Sequence, residues 1–285
     1  MSAFKKIAIL GVGFMGGSLA LALKEAYPGV HIWGYARKKS SYQRLCRLKL
    51  LDRVERDIKD VVRDSDIIIL SAPVYTIIEY CKVIAPFLKP GAIVIDLGSS
   101  KELIEKSARA CLPHGTHFVG CHPLCGSDKS GAVYAQKNLY QGSLCLITSS
   151  KQALATRKVQ LLWQRLGSYV VFIDARTHDK ILSSVSHLTH LVAFSLIDFV
   201  PKDRLRFIPP SFKEVTRIAN SPAAVWADIF LSNRKHVLSD LNRLMGVLRR
   251  FEMLIQKQDK RALCAFIEAI NKKQKRFLNS KKHLV

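Results

Sequence analysis

Acidic residues are scarce in this chain of 285 residues, because 22 Asp and Glu stand against 45 Lys and Arg, a formal net charge of +23. Disorder is excluded, since 48% of the residues are hydrophobic and can form a core. Long apolar runs are lacking too. The longest, residues 188–200, contains His190 and Asp198 and is shorter than the roughly 18 residues of a membrane helix. We therefore expect no membrane partner.

Cysteine is sparse as well, with seven scattered residues, an odd number. This favours reduced thiols and a cytoplasmic location. Neither a CxxC nor an HExxH spacing occurs, so we expect no metal site. The start of the chain, where Lys5 and Lys6 precede IAILGVGFMGGSLALAL, also resembles a signal peptide. A strand, a glycine turn and a helix explain the same residues better.

Short apolar runs alternate with helix-like segments in the first 174 residues, as in a Rossmann-like, doubly wound and mainly parallel α/β sheet. The strand candidates are Lys6–Leu10, Val30–Tyr35, Asp66–Pro73, Ala92–Ser99, Thr116–Val119, Leu144–Thr148 and Tyr169–Ile173. The helix candidates lie between these strands, at residues 14–27, Thr76–Phe87, Lys101–Cys111 and Lys151–Leu166.

Helical patterns alone follow Asp174, at Thr177–Val200, Ser211–Ile218, Ala223–Ile255 and Lys260–Phe277. We therefore predict two domains. Residues 1–174 form a dinucleotide-binding Rossmann-like domain, and residues 175–285 form an all-helical C-terminal domain for substrate binding and dimerisation.

The segment after the first strand matches the G-x-G-x-x-G fingerprint, with Gly11, Gly13 and Gly16. These glycines permit a tight turn, the approach of a pyrophosphate and close packing of helix on strand. Ser71 ends a neighbouring strand. The residues that we expect to contact a dinucleotide here are Gly11, Gly13, Phe14, Met15, Gly16 and Ser71.

The end of the second strand bears on the choice of dinucleotide. An Asp or Glu at this point holds the ribose hydroxyls of NAD, but the stretch from Gly34 to Ser40 contains no acid. Arg37, with Lys38 and Ser40, can bind a 2′-phosphate instead. The pattern favours NADP, with NAD as the alternative, although a solvated basic loop would also explain it.

Three polar segments contain candidate catalytic or binding residues. DLGSSK, residues 96–101, ends a strand, and GCHPLCGSDKSG, residues 120–131, follows another. SVSHLTH, residues 184–190, opens the helical region. His122 has the ring type of a general base near neutral pH. His187 and His190 are three residues apart, on one helix face.

Together with HDKILSSVSHLTHLVA and FKEVTRIANSPAAVWADIF, these segments resemble the prephenate/arogenate dehydrogenase family of tyrosine biosynthesis, in order, over residues 6–230. The resemblance implies an oxidative decarboxylation, in which hydride passes to NAD(P)⁺, carbon dioxide leaves and the ring becomes aromatic. Prephenate would give 4-hydroxyphenylpyruvate, and arogenate would give tyrosine. It also implies a homodimer.

The same resemblance implies roles for particular residues. His122 corresponds to the catalytic histidine that takes the hydroxyl proton, and Ser99 to the serine that links this histidine to the substrate and nicotinamide. Arg217 corresponds to the arginine that binds a substrate carboxylate. His187 and His190 correspond to the two histidines of the S-H-L-P-H segment, which we assign to substrate binding.

Thr189 departs from this pattern, since the family has proline there. His190 favours prephenate as the substrate, whereas a preference for NADP favours arogenate, so both remain open. Two other interpretations compete. One is a β-hydroxyacid dehydrogenase. Enzymes of that kind use a lysine as the acid/base in the region that corresponds to residues 183–192, and here that region contains histidine and no lysine. The other is a basic nucleic-acid-binding module on a dinucleotide fold, but the basic residues form no dense arm. We expect no nucleic-acid partner.

Overall fold

The computed structural model describes residues 4–126, 129–148 and 153–280. Within that part of the chain, eight strands form one sheet: β1 (Lys6–Leu10), β2 (His31–Tyr35), β3 (Arg53–Glu55), β4 (Ile67–Leu70), β5 (Ile93–Asp96), β6 (His117–Leu124), β7 (Leu144–Ile147) and β8 (Tyr169–Phe172). Their order across the sheet is β3-β2-β1-β4-β5-β6-β7-β8. Adjacent strands run parallel except β6 and β7, which pair antiparallel. The predicted doubly wound, mainly parallel sheet is confirmed.

The central strands β1, β4 and β5 are buried on both faces, and their side chains alternate between two hydrophobic cores. Ile7 and Ile9 of β1 belong to one core, whereas Ala8 and Leu10 belong to the other. This alternation explains why the central strands have almost continuous apolar sequences. Helices cover the two faces, and the bounds of those in the first part of the chain are α1 (Phe14–Ala26), α2 (Lys39–Leu48), α3 (Ile58–Val62), α4 (Val74–Ile84), α5 (Glu102–Cys111) and α6 (Leu154–Arg165).

Three of these elements, β3, α2 and α3, were not expected from the sequence. β3 has three residues and α3 has five, too few for a periodic pattern to emerge. Most of α2 is exposed and polar, and Leu45 is its one buried residue. The predicted start of the sixth helix, Lys151, lies outside the described residues, and α6 itself begins at Leu154.

Among the described residues after β8, which end at residue 280, the regular elements are all helical, as predicted: α7 (Ala175–Leu182), α8 (Leu188–Phe199), α9 (Pro210–Thr216), α10 (Ala223–Ser232), α11 (Arg234–Gln256) and α12 (Lys260–Ser280). A π-helical turn, Ser183–His187, joins α7 to α8. The prediction of one helix over Ala223–Ile255 is wrong, because the chain leaves helical geometry at Asn233, with φ −107° and ψ 26°. The side chain of Asn233 is buried and hydrogen-bonded, as described below.

The chain divides into two compact units, Met1–His236 and Val237–Val285. The last strand ends at Phe172 and α7 begins at Ala175, so the change from sheet to helices occurs much earlier than this division. The predicted domain boundary between residues 174 and 175 stays a prediction.

The helical run Ala175–Phe199 is long and apolar enough to cross a membrane by length and composition, with a mean hydropathy of 1.3 and only 22% of its most apolar stretch buried. We expected no such run, because polar residues interrupt the apolar ones in sequence. Such a helix is weak evidence for a membrane, since helices of soluble proteins pass the same test. Within this run, the side chains of His178, Asp179 and His187 are buried.

Candidate active site

The order of the strands reverses between β1 and β4, since β2 and β3 lie on one side and β5 and β6 on the other. In open α/β sheets, ligands bind outside the carboxyl ends of the strands at such a point. A cleft of about 810 Å³ lies there. Gly11 follows β1 and Ser71 follows β4, and both residues line the cleft.

The glycine turn has the backbone geometry that a dinucleotide requires. Gly11 has φ +97°, and a Cβ atom built on it would stand 2.1 Å from the carbonyl oxygen of Ser71. A Cβ atom on Gly16 would stand 2.3 Å from the carbonyl oxygen of Gly11, whereas one on Gly13 would meet open space. The first and third glycines thus allow close packing, and the second leaves room at the N-terminus of α1, where a pyrophosphate fits.

The predicted cofactor residues divide into two groups. Gly11, Gly13, Arg37, Lys38 and Ser71 line the cleft. Phe14, Met15, Gly16 and Ser40 are not among its lining residues. Phe14 is buried in the protein interior, Met15 packs against the first core, and Ser40 is exposed. Sequence reasoning missed Ser41 and Arg44 of α2, which do line the cleft.

His122 lies on β6, close to the point where that strand changes partners. Gly120 is the last β6 residue that pairs with β5, and from Cys121 onward the strand pairs with β7. His122 therefore stands at the carboxyl edge of the parallel part of the sheet. Its Nδ1 atom lies 2.9 Å from Nε2 of His178, and Nδ1 of His178 lies 2.8 Å from Oδ1 of Asp179.

This chain of contacts determines where the protons are. The carboxylate of Asp179 accepts the backbone N–H groups of Lys101 (2.7 Å) and Glu102 (3.0 Å) and also the Nδ1–H of His178. The Nε2 atom of His178 must then accept, so Nδ1 of His122 donates. Nε2 of His122 consequently keeps its lone pair, which is the state of a general base.

The electrostatic surroundings keep these rings neutral. Burial lowers the pKa of His178 to about 2, and the positive charge of Lys101 acts in the same direction. Burial, followed by His178 and Lys101, lowers the pKa of His122 well below its ordinary value. Burial raises the pKa of Asp179, but the amides of Glu102 and Lys101 oppose that rise by bonding to the charged form.

The turn that carries Ser99 has a buried ion pair between its two ends. Lys101 and Asp96 are both fully buried, and Nζ of Lys101 contacts Oδ2 of Asp96. The same oxygen accepts the N–H of Gly98 at 2.8 Å. Ser99 is half-buried in this turn. Nδ1 of His122 contacts Nε2 of His178, so the expected link between Ser99 and His122 does not run through that atom.

His187 and His190 occupy different surroundings. His187 is buried, its Nδ1 lies 3.1 Å from Nδ2 of Asn233, and burial lowers its pKa to about 4. His190 is half-buried and stacks on Trp226, with ring centroids 3.5 Å apart. Burial lowers the pKa of His190, and the positive charge of Arg217, an exposed residue, acts in the same direction.

Three residues of this site were not assigned a role from the sequence: His178, Asp179 and Asn233. An adjacent His–Asp pair in the first turns of a helix was the available signal, whereas nothing near Asn233 marked it. Thr189 donates its hydroxyl to the carbonyl of Val185 at 3.2 Å, next to the π-helical turn. Ser127 and Asp128 of the GCHPLCGSDKSG segment lie outside the described residues.

A doubly wound sheet with a glycine turn at its switch point and histidines at its carboxyl edge, followed in the chain by helices, defines a dinucleotide-binding dehydrogenase. Family models agree. Residues 19–172 match the model described as prephenate dehydrogenase, nucleotide-binding domain, and residues 174–269 match prephenate dehydrogenase, dimerization domain. The chain belongs to the prephenate dehydrogenase family.

Individual relatives extend this match over nearly the whole chain. A cyclohexadienyl dehydrogenase of Zymomonas mobilis is 32% identical over 91% of this chain and 91% of its own length. A prephenate dehydrogenase of Lactococcus lactis is 30% identical over 93% of this chain and 75% of its own length. The crystal structure of an Aquifex aeolicus prephenate dehydrogenase with hydroxyphenyl propionate and NAD⁺ has a TM-score of 0.88 at 30% identity, covering 97% of this chain and 99% of that one. These matches do not favour the β-hydroxyacid dehydrogenase or the nucleic-acid-binding alternative.

Proposed function

We propose that this protein catalyses the NAD(P)-dependent oxidative decarboxylation of prephenate or arogenate in tyrosine biosynthesis, in the cytoplasm. The observation that carries the proposal is the His122–His178–Asp179 chain, which leaves the lone pair on Nε2 of His122 at the carboxyl edge of the sheet. Both substrates carry a ring hydroxyl, and its proton must leave as the carbon beneath it is oxidised. A neutral imidazole in a fixed tautomer suits that transfer.

The bound nicotinamide would supply the acceptor for the hydride. The protein's own side chains move the hydroxyl proton and bind the substrate. His122 takes the hydroxyl proton on Nε2 and, once charged, donates more strongly through Nδ1 to His178. Asp179 stabilises that positive charge through His178, since it is an ionised acceptor in a buried setting. Arg217 binds a substrate carboxylate by two parallel hydrogen bonds, and His187, His190 and Ser99 shape the pocket around it.

A four-way assay tests this function. The purified protein is given prephenate or arogenate with NAD⁺ or NADP⁺, and reduced nicotinamide and carbon dioxide are both measured. Turnover with at least one pair is expected, and its absence in all four would refute the proposal. His122→Asn should lower kcat about 100-fold or more with little change in substrate KM. Normal turnover of that variant would remove His122 from the reaction.

NADP is the cofactor that we propose to be preferred. Arg37, Lys38 and Arg44 all line the cleft and give it three positive charges, against one carboxylate, Glu79. A 2′-phosphate forms charge-assisted hydrogen bonds with such side chains, whereas the hydroxyl of NAD gains much less.

Arg37→Asp should therefore reverse the preference. Loss of one charged hydrogen bond, about 1.5–3 kcal/mol, corresponds to a fall of about 10- to 150-fold in kcat/KM for NADP⁺, while the value for NAD⁺ should hold or rise. Lys39→Asp is the matched control, because Lys39 is exposed, adjacent and not among the residues that line the cleft. An equal fall for both cofactors would contradict a 2′-phosphate site.

The apolar run Ala175–Phe199 supports a homodimer. Ile181, Ile197 and Phe199 expose 43%, 40% and 81% of their surface, and the run lies within the matched dimerization domain. A second copy of the chain would cover these side chains.

Light scattering should give the mass of a dimer, and Phe199→Glu should shift it toward a monomer. Leu154→Glu, an exposed apolar position on α6, is the control and should leave the mass unchanged. Recovery of the native protein with membranes instead of as a dimer would contradict this interpretation.

A further inference from the structure

Asn233 is the residue that separates α10 from α11, and it is only 3% exposed. Its Nδ2 atom lies 2.7 Å from the backbone carbonyl oxygen of Asp179. The same nitrogen lies 3.1 Å from Nδ1 of His187. Asp179 belongs to the chain that orients His122, so one amide group contacts two parts of the candidate active site.

The carbonyl of Asp179 determines which way the amide of Asn233 faces. A backbone carbonyl only accepts hydrogen bonds, so the amide must present its NH₂ group to it. The second hydrogen of this NH₂ group then points to Nδ1 of His187. That ring nitrogen must accept, and the proton of the neutral imidazole is therefore on Nε2.

The Nε2 atom of His187 is itself buried and has no hydrogen-bond partner among the described residues. Burial lowers the pKa of His187, and the backbone of Ser99 acts in the opposite direction. In the other tautomer, two donors would face each other at Asn233, so this contact favours a proton on Nε2.

We propose that Asn233 is a positioning residue, which holds His187 in the Nε2–H tautomer, so that the buried Nε2 atom of His187 is a hydrogen-bond donor in the candidate active site. This inference rests on the proposed function, because it concerns the proton position of a histidine that we assign to that site.

The neighbouring residue supports this arrangement. The hydroxyl of Ser232 lies 2.7 Å from the hydroxyl of Ser100. Residues 232 and 233 therefore contact Ser100 and His187, respectively. The junction of α10 and α11 thus contacts the DLGSSK turn, which follows β5 more than a hundred residues earlier in the chain.

The tautomer of His187 can be measured directly by ¹⁵N NMR of the full-length protein with labelled histidine, and a His187→Gln variant assigns the signals. We expect Nδ1 to have the shift of an unprotonated nitrogen and Nε2 that of a protonated one at neutral pH. The reverse pattern, or an equal mixture, would overturn the proposal. This readout needs no variant of Asn233 and no activity.

Asn233→Asp then tests the cause. A carboxylate cannot donate, so Nδ1 of His187 should become the protonated nitrogen, and kcat should fall about tenfold, the factor for one neutral hydrogen bond. Ser232→Ala is the matched control, since it removes a hydrogen bond of the same segment and should leave the tautomer unchanged. An unchanged tautomer in Asn233→Asp would overturn the proposal. Failure of the four-way assay would refute the function while leaving the tautomer measurement intact.

Discussion

Asp179→Asn is the substitution that most sharply tests the histidine chain. The side chain keeps its shape but loses its charge and one acceptor. Oδ1 of Asp179 accepts from Nδ1 of His178 at 2.8 Å and from the N–H of Lys101 at 2.7 Å, and Oδ2 accepts from the N–H of Glu102 at 3.0 Å. All three partners are donors. Whichever way the new amide turns, its NH₂ group faces at least one of them.

The size of the effect follows from these contacts. If the amide oxygen of the variant takes the place of Oδ1, His178 and His122 keep their tautomers, but the charge-assisted hydrogen bond to His178 becomes a neutral one. The loss is about 1.5–3 kcal/mol, or about 10- to 150-fold in kcat. If the amide reverses, His178 must accept at Nδ1 and donate from Nε2, so the proton of His122 moves to Nε2. His122 then cannot take a proton, and the loss is larger.

Steady-state kinetics at saturating substrate should show this fall in kcat with little change in KM, because Asp179 lies behind the histidines. Asp174→Asn is the matched control. Asp174 is exposed and caps α7 through the N–H of Thr177 at 2.9 Å, so its loss should affect stability slightly and kcat less than twofold. A kcat of Asp179→Asn within twofold of the native value would refute the reasoning.

Three further results are expected. Folding stability should fall as pH decreases from about 6.5 toward 4, because His178 and His187 stay neutral when folded and become protonated when unfolded. At pH 4.5 each accounts for about 2.5 kcal/mol, which urea unfolding can measure. Gly11→Ala should weaken cofactor binding in a fluorescence titration and cost about 1–3 kcal/mol of stability, because its Cβ would overlap the carbonyl of Ser71. Arg217→Ala should raise substrate KM about tenfold or more, with a smaller change in kcat.

Each of these has a contradicting outcome. A variant lacking His187 should show a weaker dependence of stability on pH, whereas His114→Gln, at an exposed position, should behave like the native protein. Equal slopes in both variants would contradict the role of burial. Native cofactor affinity in Gly11→Ala would show that the turn can move aside. An unchanged KM in Arg217→Ala would assign the substrate carboxylate to another residue.

The parts of the fold that the sequence predicted are those with a local signal. β1, β4 and β5 are runs of apolar residues long enough to be recognised, and the glycine turn lies directly after β1. β3 and α3 are too short to show a period. The break at Asn233 carries no glycine or proline, so the helical pattern continues through it, and only the buried contacts of its side chain account for it.

The amino-acid sequence alone was sufficient to predict the doubly wound sheet and the family, because periodicity and short motifs depend on neighbouring residues. It also named His122 as a candidate base, which stays a prediction. The partners of His122 were decided only in the tertiary structure. His178 is 56 residues further along the chain, and Lys101 is 78 residues from Asp179. Whether an imidazole nitrogen donates or accepts depends on the group that faces it, and folding alone brings that group within hydrogen-bond distance.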